Sequence, residues 1–376
     1  MKTKEINEGK TRLIVPDIKG IPEEGEIFYN PAMAANRSIS LLVLNSLYDK
    51  KDKARVADAL CGVGARAVRY ANEGNDFEVF ANDIQPSASA LCAKNAELNG
   101  VNVTSSVSEA NQFLMAHKYE RFDFIDIDPF GSPAHFINSA LHALKQSGGV
   151  LGITATDTGT LAGIYPKACF RRYGIISDRT SFVHELGVRN LIAFVFREAA
   201  KFECTVRPLF SYNHIHYDRA FVRVISGRKT TNRDVENAGF VKYCPKCERR
   251  TMIPVFEDMD ARCECGERAL LLGPTWVERI ADVDFLDKML EKKQEINYDK
   301  KALRFVQGSD SEYSVSVPYY SIAALTRVFK KESNSTNVIL GRLRDKGYKA
   351  YSTHFFGQGI KTNAPYDEVI GAVLRK

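Results

Sequence analysis

The chain of 376 residues is long enough for two domains, and its hydrophobic content of 44% is sufficient for a sizeable core. No apolar run approaches the ~18 residues of a membrane span, and the polar start at residues 1–4 lacks the form of a signal peptide. Eight cysteines are too few for a disulfide scaffold in a chain of this length. We therefore expect a protein of the reducing cytoplasm, without a membrane partner.

The net charge of +6 is concentrated in the last fifth of the chain. Residues 301–376 contain twelve Lys and Arg against six Asp and Glu, whereas residues 1–300 contain forty of each class. A local positive excess of this kind predicts a polyanionic partner for the C-terminal region. The alternative is a solvated surface with a chance bias in charge.

The first predicted helix begins at Pro31, because proline is favoured at the first helical position. Ile39, Leu42 and Val43 continue it at helical spacing. Arg37 lies in the first turns of this helix. Its guanidinium can bind a carboxylate bidentately or can face solvent.

Residues 54–66 predict a strand, a glycine turn and the start of a helix. The strand ends at Asp58, and Gly62 and Gly64 allow the backbone to approach a ligand at the helix start. The third glycine of a dinucleotide-binding motif is replaced by Ala67. An acid four residues before the first glycine suits S-adenosylmethionine, because it can meet the ammonium of the methionyl group.

Further strands and helices alternate after this turn. The second strand ends at Asp83, where an acid can accept both hydroxyls of a ribose. A helix over 86–99 and a strand over 101–107 follow, and the adenine ring of a cofactor is expected where that strand ends, at 108–111. The repeat predicts an α/β, doubly wound parallel sheet. A hairpin of strands over 206–211 and 220–226 is typical of the antiparallel end of methyltransferase sheets.

The fourth strand leads into Asp126-Ile127-Asp128-Pro129-Phe130-Gly131. In parallel sheets, ligands bind beyond the carboxyl ends of the strands. Asp128 supplies a carboxylate there, the loop backbone supplies carbonyls, and Phe130 supplies a face for a flat ring. This set suits methyl transfer to an exocyclic amine of a nucleobase. The alternative is a strand that simply ends in an Asp-Pro turn.

A polar, charged segment over 227–237 suggests a boundary between a first domain, 1–230, and a second, 238–376. The second contains Cys244, Cys247, Cys263 and Cys265, whose spacing predicts a closed, structural zinc site. The alternative is four unrelated core cysteines. An amphipathic pattern over 276–294 predicts a helix that contacts the core.

The last part of the chain predicts two helices, over 319–329 and 337–346, followed by a hairpin over 349–362. This order is winged-helix-like, and the exposed side of the second helix is basic. The alternative is a small α/β appendage with a solvated basic helix.

Together these motifs resemble the tRNA (guanine-26-N2)-dimethyltransferase family, from about residue 5 to the C-terminus. The resemblance is carried by seven elements of the sequence: Glu8-Gly9, Phe28-Tyr29-Asn30-Pro31, Asn36-Arg37, Asp58-x-x-x-Gly62-x-Gly64, Asn82-Asp83, Asp128-Pro129-Phe130-Gly131 and the four cysteines. It implies a class I S-adenosylmethionine-dependent methyltransferase domain, a Rossmann-like fold, with a C-terminal tRNA-binding domain. The implied reaction adds one and then a second methyl group to guanine N2. No obligate protein partner is implied.

The same resemblance implies roles for single residues. Asp128 is the expected catalytic acid, with Pro129, Phe130 and Gly131 around the guanine and Phe28 as a second stacking aromatic. The expected cofactor ligands are Arg37 and Arg66 near the methionyl carboxylate, Asp58 and the glycines Gly62 and Gly64, Asp83 at the ribose, and Glu109 and Ala110 at the adenine.

Two other functions remain open from the residues alone. One is an adenine N6-methyltransferase acting on RNA, although Phe130 stands where that class has a second proline. The other is a non-catalytic RNA-binding protein with a methyltransferase-like fold, against which the acids at 58, 83 and 128 argue.

Overall fold

The computed structural model describes residues 2–17, 27, 29–293 and 303–375. Its strands are β1 Thr3–Glu8, β2 Thr11–Pro16, β3 Arg55–Asp58, β4 Glu78–Asp83, β5 Thr104–Val107, β6 Phe124–Ile127, β7 Ser147–Ala155, β8 Cys204–His214, β9 Tyr217–Ser226, β10 Ala238–Tyr243, β11 Arg250–Ile253, β12 Leu270–Trp276, β13 Tyr320–Ser321, β14 Ala350–Ser352 and β15 Gly359–Thr362.

The helices of the described residues are α1 Ala34–Leu47, α2 Ala65–Glu73, α3 Pro86–Leu98, α4 Ala110–Ala116, α5 Ile137–Ala143, α6 Thr158–Leu161, α7 Pro166–Tyr173, α8 Val183–Ala200, α9 Arg228–Asp234, α10 Val283–Lys292, α11 Ile322–Phe329, α12 Thr336–Asp345 and α13 Tyr366–Val373. Short 3-10 turns lie at Pro31–Met33, Lys50–Asp52, Val235–Asn237 and Glu312–Ser314. No helix in this described part of the chain is long and apolar enough to cross a membrane.

A seven-stranded sheet organises the first part of the chain, in the order β5-β4-β3-β6-β7-β9-β8. The first five strands are parallel, and β8 runs in the same direction; β9, which lies between β7 and β8, is antiparallel to both of them. The order reverses between β3 and β6, so the carboxyl ends of these two strands flank a topological switch point, where open α/β sheets bind ligands. The predicted doubly wound sheet with a terminal antiparallel hairpin is confirmed.

Helices cover both faces of this sheet. Helix α2 contacts α1 and α3, while α5 contacts α4 and α8. The apolar side chains of the central strands β3 and β6 are fully buried, which is why these strands appear in the sequence as short apolar runs without alternation.

The C-terminal part contains two small sheets, β11-β10-β12 and β13-β15-β14. Helices α11 and α12 precede the β14–β15 hairpin, as the sequence predicts, and α13 closes the chain against α12. A separate hydrophobic cluster, centred on Leu325, Leu343 and Ile360, lies within this region.

The segment 227–237, predicted as a boundary, is largely the helix α9, and its Asp234 accepts a hydrogen bond from Thr205 of β8 at 2.8 Å. The main core continues beyond it to Trp276, Phe285 and Phe355. The two predicted domains, 1–230 and 238–376, therefore share one hydrophobic core. Their division stays a prediction from the sequence.

The helix predicted over 276–294 has different bounds in the structure. The pattern over 276–294 divides into the end of strand β12 at Trp276 and the shorter helix α10, and residue 294 lies outside the described residues. The apolar pattern therefore extends past the residues that form the helix.

Candidate active site

A cavity of about 920 Å³ opens at the carboxyl ends of the parallel strands. Nine of the predicted site residues line it: Arg37, Asp58, Gly62, Arg66, Asp83, Asp128, Pro129, Phe130 and Gly131. They come from strand ends or helix starts between Arg37 and Gly131, and the parallel sheet brings them together. We call this the active-site cavity.

Asp58, the last residue of β3, has 2% of its surface exposed. Burial raises its pKa to about 7; the Arg66 guanidinium opposes this shift, and the carboxylates of Asp126 and Asp128 add to it. Its Oδ1 is buried without a hydrogen-bond partner among the described residues. Because Asp58 lines the cavity, a carboxylate oxygen that lacks a donor there is suited to a ligand cation.

The glycine turn that follows brings backbone close to the cavity. Gly62 and Gly64 have positive φ angles of 52° and 75°, and a Cβ on Gly64 would lie 2.3 Å from Sγ of Cys92. Helix α2 begins immediately afterwards, at Ala65. Gly64 is therefore required both by the backbone conformation and by the close contact with α3.

Asp83, at the end of β4, supports this turn with one oxygen. Its Oδ2 accepts a hydrogen bond from Gly62 N at 2.8 Å, and its Oδ1 accepts one from Gln85 N at 2.9 Å. Each carboxylate oxygen has a second lone pair for a ligand hydroxyl. The carboxylate is thereby held in a fixed orientation on the cavity wall.

Glu109 and Ala110 lie where α4 begins, after β5. The Glu109 side chain caps this helix by accepting a hydrogen bond from Gln112 N at 3.1 Å, and Ala110 is buried. Neither residue lines the active-site cavity as it stands in the structure. Their adenine-side role stays a prediction, with Glu109 already engaged as a helix cap.

Arg66 joins two acids of the Asp-Ile-Asp sequence. Its guanidinium contacts Asp128 at the cavity and Asp126 behind it, the latter at 3.3 Å. Asp126 is fully buried and also accepts two hydrogen bonds from Arg219 of β9, at 2.9 and 2.6 Å. Although burial alone raises the pKa of Asp126, the two arginines lower it below its usual value. This network fixes the Asp128 carboxylate at the cavity wall.

The loop after Asp128 is attached to the end of β7. Gly131 has a φ of 80°, and its N–H donates to Oγ1 of Thr156 at 2.6 Å, while Thr156 N donates to Gly131 O at 2.9 Å. Phe130 remains 77% exposed. A large aromatic ring held at the rim of a cavity can stack on a flat ligand. Phe28 lies outside the described residues.

Arg37 does bind a carboxylate bidentately, and that carboxylate is Glu8 of β1. Nε and Nη2 of Arg37 donate to Glu8 at 2.7 and 2.5 Å, and Arg69 adds a third contact at 3.0 Å. Burial opposes ionisation, but these arginines lower the pKa of Glu8 to about 2. Arg37 therefore anchors the N-terminal hairpin beside the cavity.

Among the cavity residues that were not predicted are His216 and Tyr217, at the turn between β8 and β9. Burial, with a smaller contribution from Asp128, raises the pKa of Tyr217. The sequence contained one indication of a site at this turn, namely Arg219 within the apolar strand β9. A basic residue that is buried there needs an acidic partner.

The four predicted metal ligands come together. The Sγ atoms of Cys244, Cys247, Cys263 and Cys265 lie within 4.8 Å of one another, with Cys244–Cys265 at 3.6 Å and Cys247–Cys263 at 3.5 Å. Zinc thiolate bonds of ~2.3 Å in a tetrahedron require sulfur separations of roughly 3.8 Å. Two tight turns, after β10 and before β12, present the thiolates. The donor set fits a closed tetrahedral zinc site.

Comparison with known proteins agrees with this geometry. A family model described as "TRM: N2,N2-dimethylguanosine tRNA methyltransferase" matches residues 9–374. The tRNA (guanine(26)-N(2))-dimethyltransferase of Methanosphaera stadtmanae is 35% identical over 381 residues, which cover 100% of this chain and 97% of the relative. The tRNA (guanine(26)-N(2)/guanine(27)-N(2))-dimethyltransferase of Aquifex aeolicus is 33% identical over 375 residues, which cover 97% of this chain and 94% of the relative.

Among solved structures, Trm1 from Pyrococcus horikoshii, in complex with S-adenosyl-L-methionine, superposes with a TM-score of 0.87 at 32% identity. The match covers 99% of this chain and 100% of that one. The predicted methyltransferase fold and enzyme class are confirmed, and the chain belongs to the N2,N2-dimethylguanosine tRNA methyltransferase family.

Proposed function

We propose that this protein transfers one and then a second methyl group from S-adenosylmethionine to the exocyclic N2 of guanine 26 in tRNA. The observation that carries the proposal is the placement of Asp58, Asp83 and Asp128 on the wall of one cavity. The full-length similarity to the Methanosphaera stadtmanae dimethyltransferase supports the choice of guanine 26.

The cavity residues fit the cofactor by the chemistry of their donors and acceptors. Asp58 has a buried oxygen for the methionyl ammonium, Asp83 has free lone pairs for ribose hydroxyls, and the backbone at Gly62 allows close approach. Glu109 and Ala110 are the proposed adenine-side residues. When bound, S-adenosylmethionine supplies an electrophilic methyl group.

Asp128 is the proposed catalytic carboxylate, and its role is that of a general base. Guanine N2 is a poor nucleophile because its lone pair is delocalised into the ring, and it must lose a proton as the methyl group arrives. With Arg66 holding one oxygen, the carboxylate can accept an N–H and take that proton. One N–H remains after the first methylation, so Asp128 acts in both rounds.

Phe130 provides the stacking face for a guanine that has left its helical stack, and Pro129 and Gly131 shape the loop around it. Phe28 is proposed as the second stacking aromatic. Arg37 and Arg66 support the methionyl side of the cavity, Arg37 through its contact with Glu8.

Zinc is the proposed metal of the four-cysteine site, where it closes two turns and leaves no position for catalysis. Residues 238–376 are the proposed tRNA-binding unit, supported by the basic excess of 301–376. A cytoplasmic location is proposed because reduced thiolates are needed for the metal site.

The test is nucleoside analysis of a tRNA transcript treated with the protein and S-adenosylmethionine. We expect N2-methylguanosine to form first and N2,N2-dimethylguanosine to accumulate, with neither formed on a transcript that has adenine at position 26. A guanine-27 transcript tests the second position named for the Aquifex aeolicus relative. N6-methyladenosine, or tight tRNA binding with no modification, would overturn the proposal.

A further inference from the structure

A second cavity, of about 470 Å³, lies on the other side of the β8–β9 turn from the active-site cavity. His214 and Ile215 of this turn line the second cavity, whereas His216 and Tyr217 line the first. The remaining wall comes from His184 and Asn213, from Arg304, Phe305 and Gln307, and from residues 352–355. A volume of this size lies within the range of small-ligand sites.

Aromatic rings connect the two cavities. The ring centroids of Tyr217 and His214 are 5.6 Å apart, those of His214 and Phe305 are 5.2 Å apart, and those of Phe305 and His354 are 5.8 Å apart. These rings form one packed layer between the cavities, in which Tyr217 and Phe305 are buried and His214 is partly exposed.

His354 is held as a ring surface rather than as a proton carrier. Its Nδ1 lies 2.6 Å from Oε1 of the buried Glu312, and its Nε2 accepts a hydrogen bond from Asn213 N at 3.4 Å. Both ring nitrogens are thus engaged by the protein. Its ring packs against that of Phe355, with the two ring centroids 3.9 Å apart, so it forms a fixed part of the cavity wall.

The charge at this cavity suits an anionic ligand. Arg304 is exposed at the cavity, and its guanidinium lies 4.8 Å from the ring centroid of Phe305. No described lining residue is acidic. RNA-binding sites commonly combine aromatic rings, on which unstacked bases pack, with arginines for phosphate or base.

The turn between the cavities is strained. Ile215 has a φ of 33°, and the carbonyl of His214 accepts a hydrogen bond from the N–H of His216 across it. Positive φ is an outlier for a β-branched residue, and such outliers persist where the surrounding structure holds them, often at functional sites. Ile215 is also 68% exposed. Exposed apolar side chains that separate two bases are a known way to unstack nucleic acid.

We infer that the second cavity binds one of the two nucleotides that flank the target guanine, with Ile215 inserted between that nucleotide and the guanine. This inference rests on the proposed function. The flanking base packs on the ring of His214, and its phosphate meets Arg304. The target and its neighbour are thereby drawn apart on either side of one turn.

The test measures binding, so that it does not depend on methyl transfer. Transcripts carry an abasic residue at the nucleotide before or after guanine 26, and their affinity is measured with S-adenosylhomocysteine present. Ser352→Trp fills the cavity from an exposed rim position. Ser147→Trp, at the amino end of β7, is the matched control at the opposite sheet edge.

With wild type and Ser147→Trp, one of the two abasic substitutions should weaken binding at least ~5-fold, the scale of one stacked base. With Ser352→Trp the same substitution should change affinity less than twofold. Equal effects in wild type and Ser352→Trp at both positions would overturn the inference.

Ile215→Ala provides a second measurement. It should slow single-turnover methylation of tRNA at least fivefold with unchanged affinity for S-adenosylhomocysteine, whereas Tyr119→Ala, exposed at the opposite sheet edge, should not. An unchanged Ile215→Ala rate contradicts the wedge role. A failure of the proposed function would be distinguishable from a failure of this inference. In that case the wild-type protein would form no methylguanosine, while the affinities for abasic transcripts would still differ between wild type and Ser352→Trp.

Discussion

The burial of Asp58 predicts that S-adenosylmethionine affinity depends on pH. The pKa of this carboxyl, raised by burial, is about 7 in the absence of ligand, against an ordinary value of 3.8. The cofactor ammonium pairs with the ionised carboxylate, so binding requires the loss of this proton. Because its oxygen Oδ1 lacks a donor among the described residues, no protein group replaces the ammonium.

The magnitude follows from the fraction of ionised Asp58. At pH 8 about nine molecules in ten carry the charge, at pH 6 about one in ten, and at pH 5 about one in a hundred. The dissociation constant should therefore rise about fivefold from pH 7 to pH 6, and about tenfold more by pH 5. Above pH ~8 the ammonium itself loses its proton, so affinity should be highest between pH 7 and 8.

Isothermal titration calorimetry from pH 5 to 9 measures this profile. Asp58→Asn should bind S-adenosylmethionine weakly at every pH, and its affinity should no longer fall as the pH is lowered below 7. Asp83→Asn is the matched control. It should also bind more weakly, because it loses charge-assisted bonds to the ribose. Its affinity should still fall as the pH is lowered below 7. A wild-type dissociation constant that varies less than twofold between pH 6 and 8 would refute the reasoning.

Three further predictions concern catalysis, metal and tRNA. Asp128→Asn should lose at least ~10²-fold in single-turnover rate. The variant should remain folded, because Arg66 keeps its contact with Asp126. The idea is falsified if the rate of the folded variant stays within tenfold of wild type. Metal analysis should find one zinc per chain, and Cys247→Ser should lower the melting temperature more than it lowers the rate at 25 °C; metal below a tenth of an equivalent contradicts this. Arg342→Ala on α12 should weaken tRNA binding and reduce its salt slope by about 1, with cofactor affinity unchanged; an unaltered slope removes this residue from the tRNA surface.

The role of residues 301–376 in tRNA binding is tested better by single substitutions than by truncation. Glu185 of α8 is fully buried and accepts from Lys361 at 2.7 Å and from Tyr319 N at 3.0 Å. Removal of residues 301–376 would leave this carboxylate with Arg189 alone in an opened core. Breaking a buried charge network is strongly destabilising, so a truncated protein would report on folding as well as on tRNA binding.

Local features of the sequence determined much of the fold and of the site. Each strand that ends in an acid, at Asp58, Asp83 and Asp128, could be recognised from a short apolar run and the turn residues after it. The glycines 62 and 64 and the paired cysteines have fixed spacings, so they could be recognised without knowledge of contacts. Parallel strands then place the acids at one edge, whatever their separation in the chain.

Tertiary structure decided how these residues are held. The contacts of Asp126 with Arg66 and Arg219 join residues 60 and 93 positions apart, and Ser40 meets Arg219 across 179 positions. Neither these pairs nor the cavity beside Ile215 has a local signal, because helix and strand patterns report only on neighbours within a few residues. The same limit explains why the apolar pattern over 276–294 was predicted as one helix: Trp276 is buried at the end of a strand whose partner, Ala238, lies far away in the chain.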